Sequence, residues 1–139
     1  MPTERIDPGR KQTAVQFLEM VGAGKIDDAY REYAEPNGKH HNPFFAAGFT
    51  ALREAMKENA LQFPAMRLTV KNVIGDGNLV AIHSHVVLRP GEPGLATMHR
   101  FRFMGNKIVE IWDIGQPVPA DLTNQDGMSK KGEISWIRA

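Results

Sequence analysis

Apolar residues recur at helical spacing in the first half of the chain and predict three helices. Asp7 and Pro8 suit a helix start, because aspartate caps free backbone N–H groups and proline lacks the N–H that would be unpaired in the first turn. The Glu-Pro-Asn-Gly run at residues 35–38 is typical of a chain break after the second helix. The predicted helices cover about residues 8–22, 26–34 and 49–63.

The spacing changes after Pro64, where apolar and polar positions begin to alternate as they do in strands. Short turns rich in glycine and asparagine separate the alternating runs, so neighbouring runs are expected to pair antiparallel. Helices followed by such a sheet predict an α+β fold, in which three N-terminal helices pack on a curved antiparallel sheet to form a cone with a pocket at its open end. The predicted strands cover about residues 68–74, 79–88, 96–104 and 107–114.

Composition places the chain among ordinary soluble domains. Its 139 residues are 42% hydrophobic and 24% charged, which predicts a single domain over residues 1–139, with a core at about 8–118 and a C-terminal arm or tail at 119–139. The net charge of +1 and the lack of a basic block give no reason to expect nucleic acid as a partner. Without cysteine, a signal peptide or a membrane-spanning run, a cytoplasmic protein is expected, with no disulfide and no membrane partner.

Alternation along the strands indicates where the titratable side chains point. His83 and His85 share one face of their strand, and His99 shares a face with two phenylalanines. Asp113 lies on the same face of the last strand as Ile111. Together with His41, four imidazoles and one carboxylate are therefore expected to converge in the cone, and such clusters in an apolar pocket are typical of acid–base chemistry.

Each of these residues also has a structural interpretation. His83 and His85 would lie in solvent if their face is the wet one, and His41 would only complete the turn before Asn-Pro. Asp113 would cap its strand or pair with Arg102, and His99 would be a hydrogen-bonded histidine of the core. A histidine cluster could also bind zinc or iron, but H-x-H alone is a weak signal, so no metal ion is predicted. Phosphate loops and nucleophile elbows are missing from the sequence.

Taken together and in order, several short motifs resemble the SnoaL-like polyketide cyclase family, within the nuclear transport factor two-like superfamily. This resemblance implies a cone-shaped α+β barrel, commonly a homodimer, with an apolar pocket for a small hydrophobic carbonyl compound. In the cyclases a pocket carboxylate moves a proton to and from carbon without a cofactor, and Asp113 matches that position. The motifs are His41-Asn42-Pro43, Gly48, residues 80–85, Phe101-Arg102-Phe103, residues 105–113, Gln116-Pro117 and Gly127-Met128.

The sequence departs from the family pattern at two positions. His99 stands where many members carry an aspartate, and Ile111 stands where many carry a histidine. Either the acid–base pair has been rebuilt with His99 facing Asp113, or it has been dismantled and a binding pocket remains.

The expected function is cofactor-independent proton transfer of the aldol-cyclase or isomerase type. Asp113 would act as base, His99 would orient it or reprotonate the product, and His83 or His41 would donate a hydrogen bond to the enolate oxygen. The alternatives are a dimeric binding protein without catalysis and a metal-dependent enzyme. The expected substrate-binding residues are His85, Phe44, Phe45, Phe101, Phe103, Trp112, Ile111 and Tyr33.

Overall fold

Three helices and five strands make up the part of the protein that the computed structural model describes, residues 8–130. The predicted helix cap Asp7 and the end of the C-terminal tail, from residue 131, lie outside the described residues. In chain order the elements are α1 (Pro8–Gly22), α2 (Ile26–Tyr33), β1 (Ala34–His40), α3 (Phe49–Gln62), β2 (Arg67–Asp76), β3 (Leu79–Val87), β4 (Leu95–Met104) and β5 (Lys107–Pro117).

The strands form one open sheet in the order β1-β5-β4-β3-β2. Strands β2 to β5 pair antiparallel as expected, and the predicted α+β class is confirmed. The expectation of a purely antiparallel sheet needs one correction, because β1 pairs parallel with β5 and makes the sheet mixed. The run at 35–38, expected to be a break, lies inside this strand, where an edge position tolerates proline and glycine.

The core fills the space between the helices and one face of the sheet, which we call the helix-facing face. Alternate residues of β3, among them Val80 and Ile82, are buried on this face. Phe101 joins them from β4, and the ring of Phe17 packs edge-on against it at 6.0 Å. Tyr30 extends this aromatic cluster, with its ring 5.1 Å from that of Phe17. This packing fixes which side of each strand faces the helices.

The opposite side of the sheet, the outer face, exposes the apolar side chains of Met98, Met104 and Ile114. A bulge in β5 decides which residues of that strand belong to it. Arg102 pairs with Glu110, whereas the next residue of β4 pairs with Ile108, so one residue of β5 is left over. The predicted alternation therefore shifts there, and Ile108 enters the core.

The first helix is tied to the turns at one end of the sheet. Arg10 donates hydrogen bonds to the backbone oxygens of Gly77 and Gly105, both at 3.1 Å. These oxygens belong to the turns that follow β2 and β4, so one side chain holds two hairpins against α1. Among the helices of residues 8–130, none has both the length and the apolar character that a membrane crossing requires.

Candidate functional site

His99 and Asp113 meet on the helix-facing face, midway along β4 and β5. Strands β4 and β5 place the two residues directly opposite each other. The Nε2 atom of His99 lies 3.3 Å from Oδ1 of Asp113, and their side chains are only 13% and 23% exposed. The ring of Phe101 stacks beside the imidazole, with centroids 6.0 Å apart and planes within 12°. The pair that the sequence predicted is therefore in contact, in a largely apolar setting.

The loop between β1 and α3 holds the second oxygen of Asp113. Asn42 donates a hydrogen bond from Nδ2 to Oδ2 of Asp113 at 2.7 Å. Its own Oδ1 accepts from the backbone N–H of Phe44 at 2.9 Å, which fixes the orientation of the amide. Both oxygens of Asp113 thus face a donor or a ring nitrogen. Sequence reasoning missed Asn42, because an asparagine before proline is expected to serve the turn itself.

His40 holds this loop in place from inside the fold. Its Nδ1 accepts from the backbone N–H of Asn42 at 3.0 Å, and its Nε2 contacts the carbonyl oxygen of Ala46 at 2.7 Å. Since a carbonyl can only accept, Nε2 carries the proton and His40 is the neutral Nε2–H tautomer. Protonation would break the bond at Nδ1. We therefore assign His40 to positioning Asn42. The sequence analysis had selected the adjacent His41 instead of His40.

Burial dominates the electrostatics of the pair. It lowers the pKa of His99, and the negative charge of Asp113 opposes this shift only in part. Burial also raises the pKa of Tyr30, with a smaller contribution from the charge of Asp113. Since a lone pair would be repelled by the carboxylate, the proton of neutral His99 belongs on Nε2. Its other nitrogen, Nδ1, is buried and has no hydrogen-bond partner among the described residues.

We expect a histidine titration by NMR to give a His99 pKa below the ordinary histidine value of about 6.5. The variant Asp113→Asn should lower it further, because the attraction that favours the imidazolium is removed. The folded pKa then lies below the unfolded one, so the unfolded chain takes up the proton first. The stability contribution of His99 is complete above about pH 6.5 and is lost as the pH falls toward the folded pKa.

The matched control for this titration is Glu110→Gln, which neutralises a carboxylate on the outer face. The His99 pKa should be the same in that variant as in the wild type. A wild-type His99 pKa at or above 6.5, or one that does not respond to Asp113→Asn, would contradict the buried pair.

His41 lies on the outer face and does not join the pair. Its Nε2 is 2.6 Å from Oε2 of Glu110, whose other oxygen accepts from Arg102 at 2.9 Å. The hydrogen bond from His41 is the main cause that lowers the pKa of Glu110, burial opposes it, and the bond from Arg102 adds to it. The His41 ring stacks on Trp112 at 4.9 Å, and the guanidinium of Arg100 lies 4.1 Å from the same indole. This network fixes His41 away from the core.

His83 and His85 also lie on the outer face. His83 contacts the carbonyl oxygen of Met128 at 3.1 Å, and His85 contacts that of Pro93 at 2.8 Å. The expected convergence of four imidazoles is therefore wrong, since only His99 of the four lies beside Asp113. The histidines considered as possible metal ligands are therefore separated. Within residues 8–130, no three side chains of the types that bind metal ions lie close enough together to hold one.

The other residues expected to wall a pocket fall into three groups. Phe101, Phe103 and Ile111 are buried in the core, and Tyr33 packs partly buried against it. Trp112 is on the outer face. Phe44 and Phe45 are 86% and 38% exposed, so they do not close over the pair. Three surface clefts of about 460, 440 and 550 Å³ lie elsewhere, and none of them is lined by His99 or Asp113.

The family is settled by comparison with known proteins. The SnoaL-like domain family matches residues 14–111, which is most of the chain, and the protein belongs to this family. The match ends before Asp113. No curated protein matches the sequence.

Solved structures of the same fold come from several bacteria. IdmH of Streptomyces antibioticus, a candidate polyketide cyclase, has a TM-score of 0.64 at 20% identity over 77% of this chain and 91% of its own. A candidate SnoaL-like polyketide cyclase from Jannaschia has a TM-score of 0.66 at 14% identity, covering 84% of this chain and 91% of its own. An NTF2-like protein of unknown function from Cytophaga hutchinsonii reaches 0.64 at 13% identity, covering 84% and 96%. At these identities the likeness establishes the fold.

Proposed function

We propose that the protein is a cofactor-independent enzyme that moves a proton to and from carbon, in a reaction of the cyclase or isomerase type, on a small hydrophobic carbonyl compound. One observation carries this proposal: a buried imidazole touches a carboxylate through one nitrogen, and its other nitrogen has no hydrogen-bond partner within residues 8–130. Buried polar atoms are nearly always paired, and exceptions need an explanation. The explanation that we propose is that the unpaired nitrogen receives a proton from the substrate.

The geometry favours a division of roles different from the one expected from the family. Asp113 already has a partner at each oxygen, Asn42 at one and His99 at the other, and these two contacts hold the carboxylate in place. His99 is kept neutral by burial and offers a free lone pair at Nδ1. We therefore assign the base to His99. Asp113 orients the ring and stabilises the imidazolium that forms when the proton is taken.

The substrate would approach along the C-terminal part of β5. Asp113 keeps part of its side chain in solvent, and Gly115, two residues further on, is exposed. Gly115 pairs with Thr97 and offers no side chain that would block the approach. On the inner side, Ile82 lies across from His99 and Phe101 lies beside it. An apolar carbonyl compound fits these walls better than a charged one.

The test is exchange of α-protons for deuterium in D₂O, followed by NMR on enolisable ketones such as 2-tetralone. The wild type should speed exchange, and the rate should fall as the pH drops through the lowered pKa of His99, because only the neutral ring is a base. If the tested ketones raise the melting temperature of the protein but none of them exchanges its α-protons, the proposal is wrong. The protein would then be a binding protein that lacks catalysis.

Assembly and location remain predictions. In a homodimer, the second copy could pack against the apolar side chains that the outer face exposes, Met98, Met104 and Ile114. A cytoplasmic location is likewise still an expectation from the sequence.

A further inference from the structure

A second unpaired polar atom lies close to the candidate base. Ser84 is fully buried in β3, and its Oγ has no hydrogen-bond partner among the described residues. Neither of the roles proposed for His99 and Asp113 uses this hydroxyl. Leaving a buried hydroxyl unpaired destabilises a fold, so it calls for a physical reason.

The register of the sheet places Ser84 beside His99. Ser84 pairs with Thr97 across β3 and β4, and His99 is two residues further along β4 on the same face. Such diagonal neighbours have Cβ atoms about 7 Å apart, and both side chains point toward the helices. Ser84 Oγ and His99 Nδ1 therefore border one region on the helix-facing side of the sheet.

The neighbouring hydroxyl serves the fold instead. Thr97 donates from Oγ1 to the backbone oxygen of Ser84 at 3.3 Å. Two buried hydroxyls thus lie on paired residues of β3 and β4. That of Thr97 is hydrogen-bonded, and that of Ser84 has no partner within residues 8–130. The contrast offers a matched experimental comparison between Ser84 and Thr97.

We propose that the Ser84 hydroxyl is a catalytic group that donates a hydrogen bond to the carbonyl oxygen of the substrate while His99 Nδ1 takes a proton from the adjacent carbon. This inference rests on the proposed function. The C–H bond breaks, an N–H bond forms at Nδ1, and the electron pair moves through the new C=C bond onto oxygen to give an enolate. Return of the proton from His99 to carbon closes the cycle, and no redox partner is needed.

The spacing selects the substrate class. A carbonyl oxygen lies about 2.4 Å from the carbon next to the carbonyl carbon. Adding a hydrogen bond of about 2.8 Å at the oxygen and a reach of about 3 Å at the carbon gives a span of at most about 8 Å, which is comparable with the Cβ separation of about 7 Å. The site should therefore accept ketones and β-dicarbonyl compounds with an acidic α-hydrogen, and should not activate a C–H bond remote from the carbonyl.

The first measurement compares 2-tetralone exchange in the wild type and in Ser84→Ala. Loss of one donor to the enolate oxygen should lower kcat/KM by about 10²-fold. The midpoint of the pH profile should stay unchanged, because His99 remains the base. In fluorescence titrations, the wild type should bind 2-naphthol, which mimics the enol, more tightly than naphthalene, and Ser84→Ala should lose this preference.

The second measurement checks that Ser84 is spare in the folded protein. Ser84→Ala should leave Tm unchanged or raise it, since an unpaired hydroxyl is removed, whereas Thr97→Val should lower Tm by about 3 °C through loss of a paired one. An equal loss of Tm in both variants would overturn the inference.

The outcomes separate this inference from the proposal beneath it. If the wild type catalyses exchange and Ser84→Ala does so at the same rate, the role of Ser84 is wrong and the proposed function stands. No exchange by the wild type on any ketone of the panel overturns the proposed function, and the role of Ser84 falls with it.

Discussion

Replacing His99 by glutamine is expected to reduce catalysed α-proton exchange by about 10²–10⁴-fold, the usual contribution of a positioned general base. Glutamine keeps a polar side chain opposite Asp113 but has no nitrogen that takes up a proton near neutral pH. The residual activity should also lose the pH dependence that His99 gives the wild type. NMR-monitored exchange on 2-tetralone measures both effects, with circular dichroism to establish that the variant is folded.

The variant Asp113→Asn separates the two possible bases. If His99 is the base, this change lowers the rate and moves the midpoint of the pH profile downward, because the charge that favours the imidazolium is gone. Asp76→Asn, the same change at an exposed position at the end of β2, is the matched control and should keep wild-type activity. Retention of more than about a tenth of the activity in His99→Gln, with complete loss in Asp113→Asn, would transfer the role of base to Asp113.

Much of the fold could be predicted from periodicity because most elements bury one regular face. Strands β3 and β4 alternate cleanly, and their turns carry glycine. Strand β1 could not be recognised in this way. Within Ala34–His40 only the first residue, Gly38 and His40 are buried, and Pro36 stands in the middle. Its strand conformation depends on pairing with the distant β5, which local sequence does not encode.

The site was only partly predictable, for a reason visible in β3. Both faces of that strand carry apolar residues, so alternation groups His83 with His85 but does not say which face the helices cover. In β4 the answer was clearer, because arginines mark the face opposite His99. Alternation pointed both His99 and Asp113 inward, and the resemblance to the family offered their pairing as one of two interpretations. Asn42 and Ser84 were missed for one reason. Asn42 was selected because it makes a hydrogen bond and Ser84 because it lacks one, and the spacing of residues along the sequence indicates neither.

The variant Gly38→Ala is expected to destabilise the protein by about 3 kcal/mol and to lower Tm by about 10 °C. A Cβ at this position would lie far inside contact distance of Cε2 of Phe49. Gly38 has no positive φ, so the cost arises from the clash. Phe49 is buried and its ring packs edge-on against Tyr30 at 5.9 Å, so it cannot move without disturbing the aromatic core. Calorimetry measures the loss.

A matched control and a rescue make the cause of this loss testable. Gly75→Ala places a methyl group in β2 against the flexible side chain of Lys11, at 3.0 Å, and should change stability by less than about 0.5 kcal/mol. Phe49→Leu combined with Gly38→Ala should destabilise less than the sum of the two single changes, because the smaller side chain leaves room for the methyl group. Additive losses would mean that Gly38 is needed for backbone freedom instead. Since β1 leads directly to His40 and Asn42, a displaced strand should also loosen the hydrogen bond to Asp113, so exchange activity should fall together with stability in Gly38→Ala and recover in the double variant.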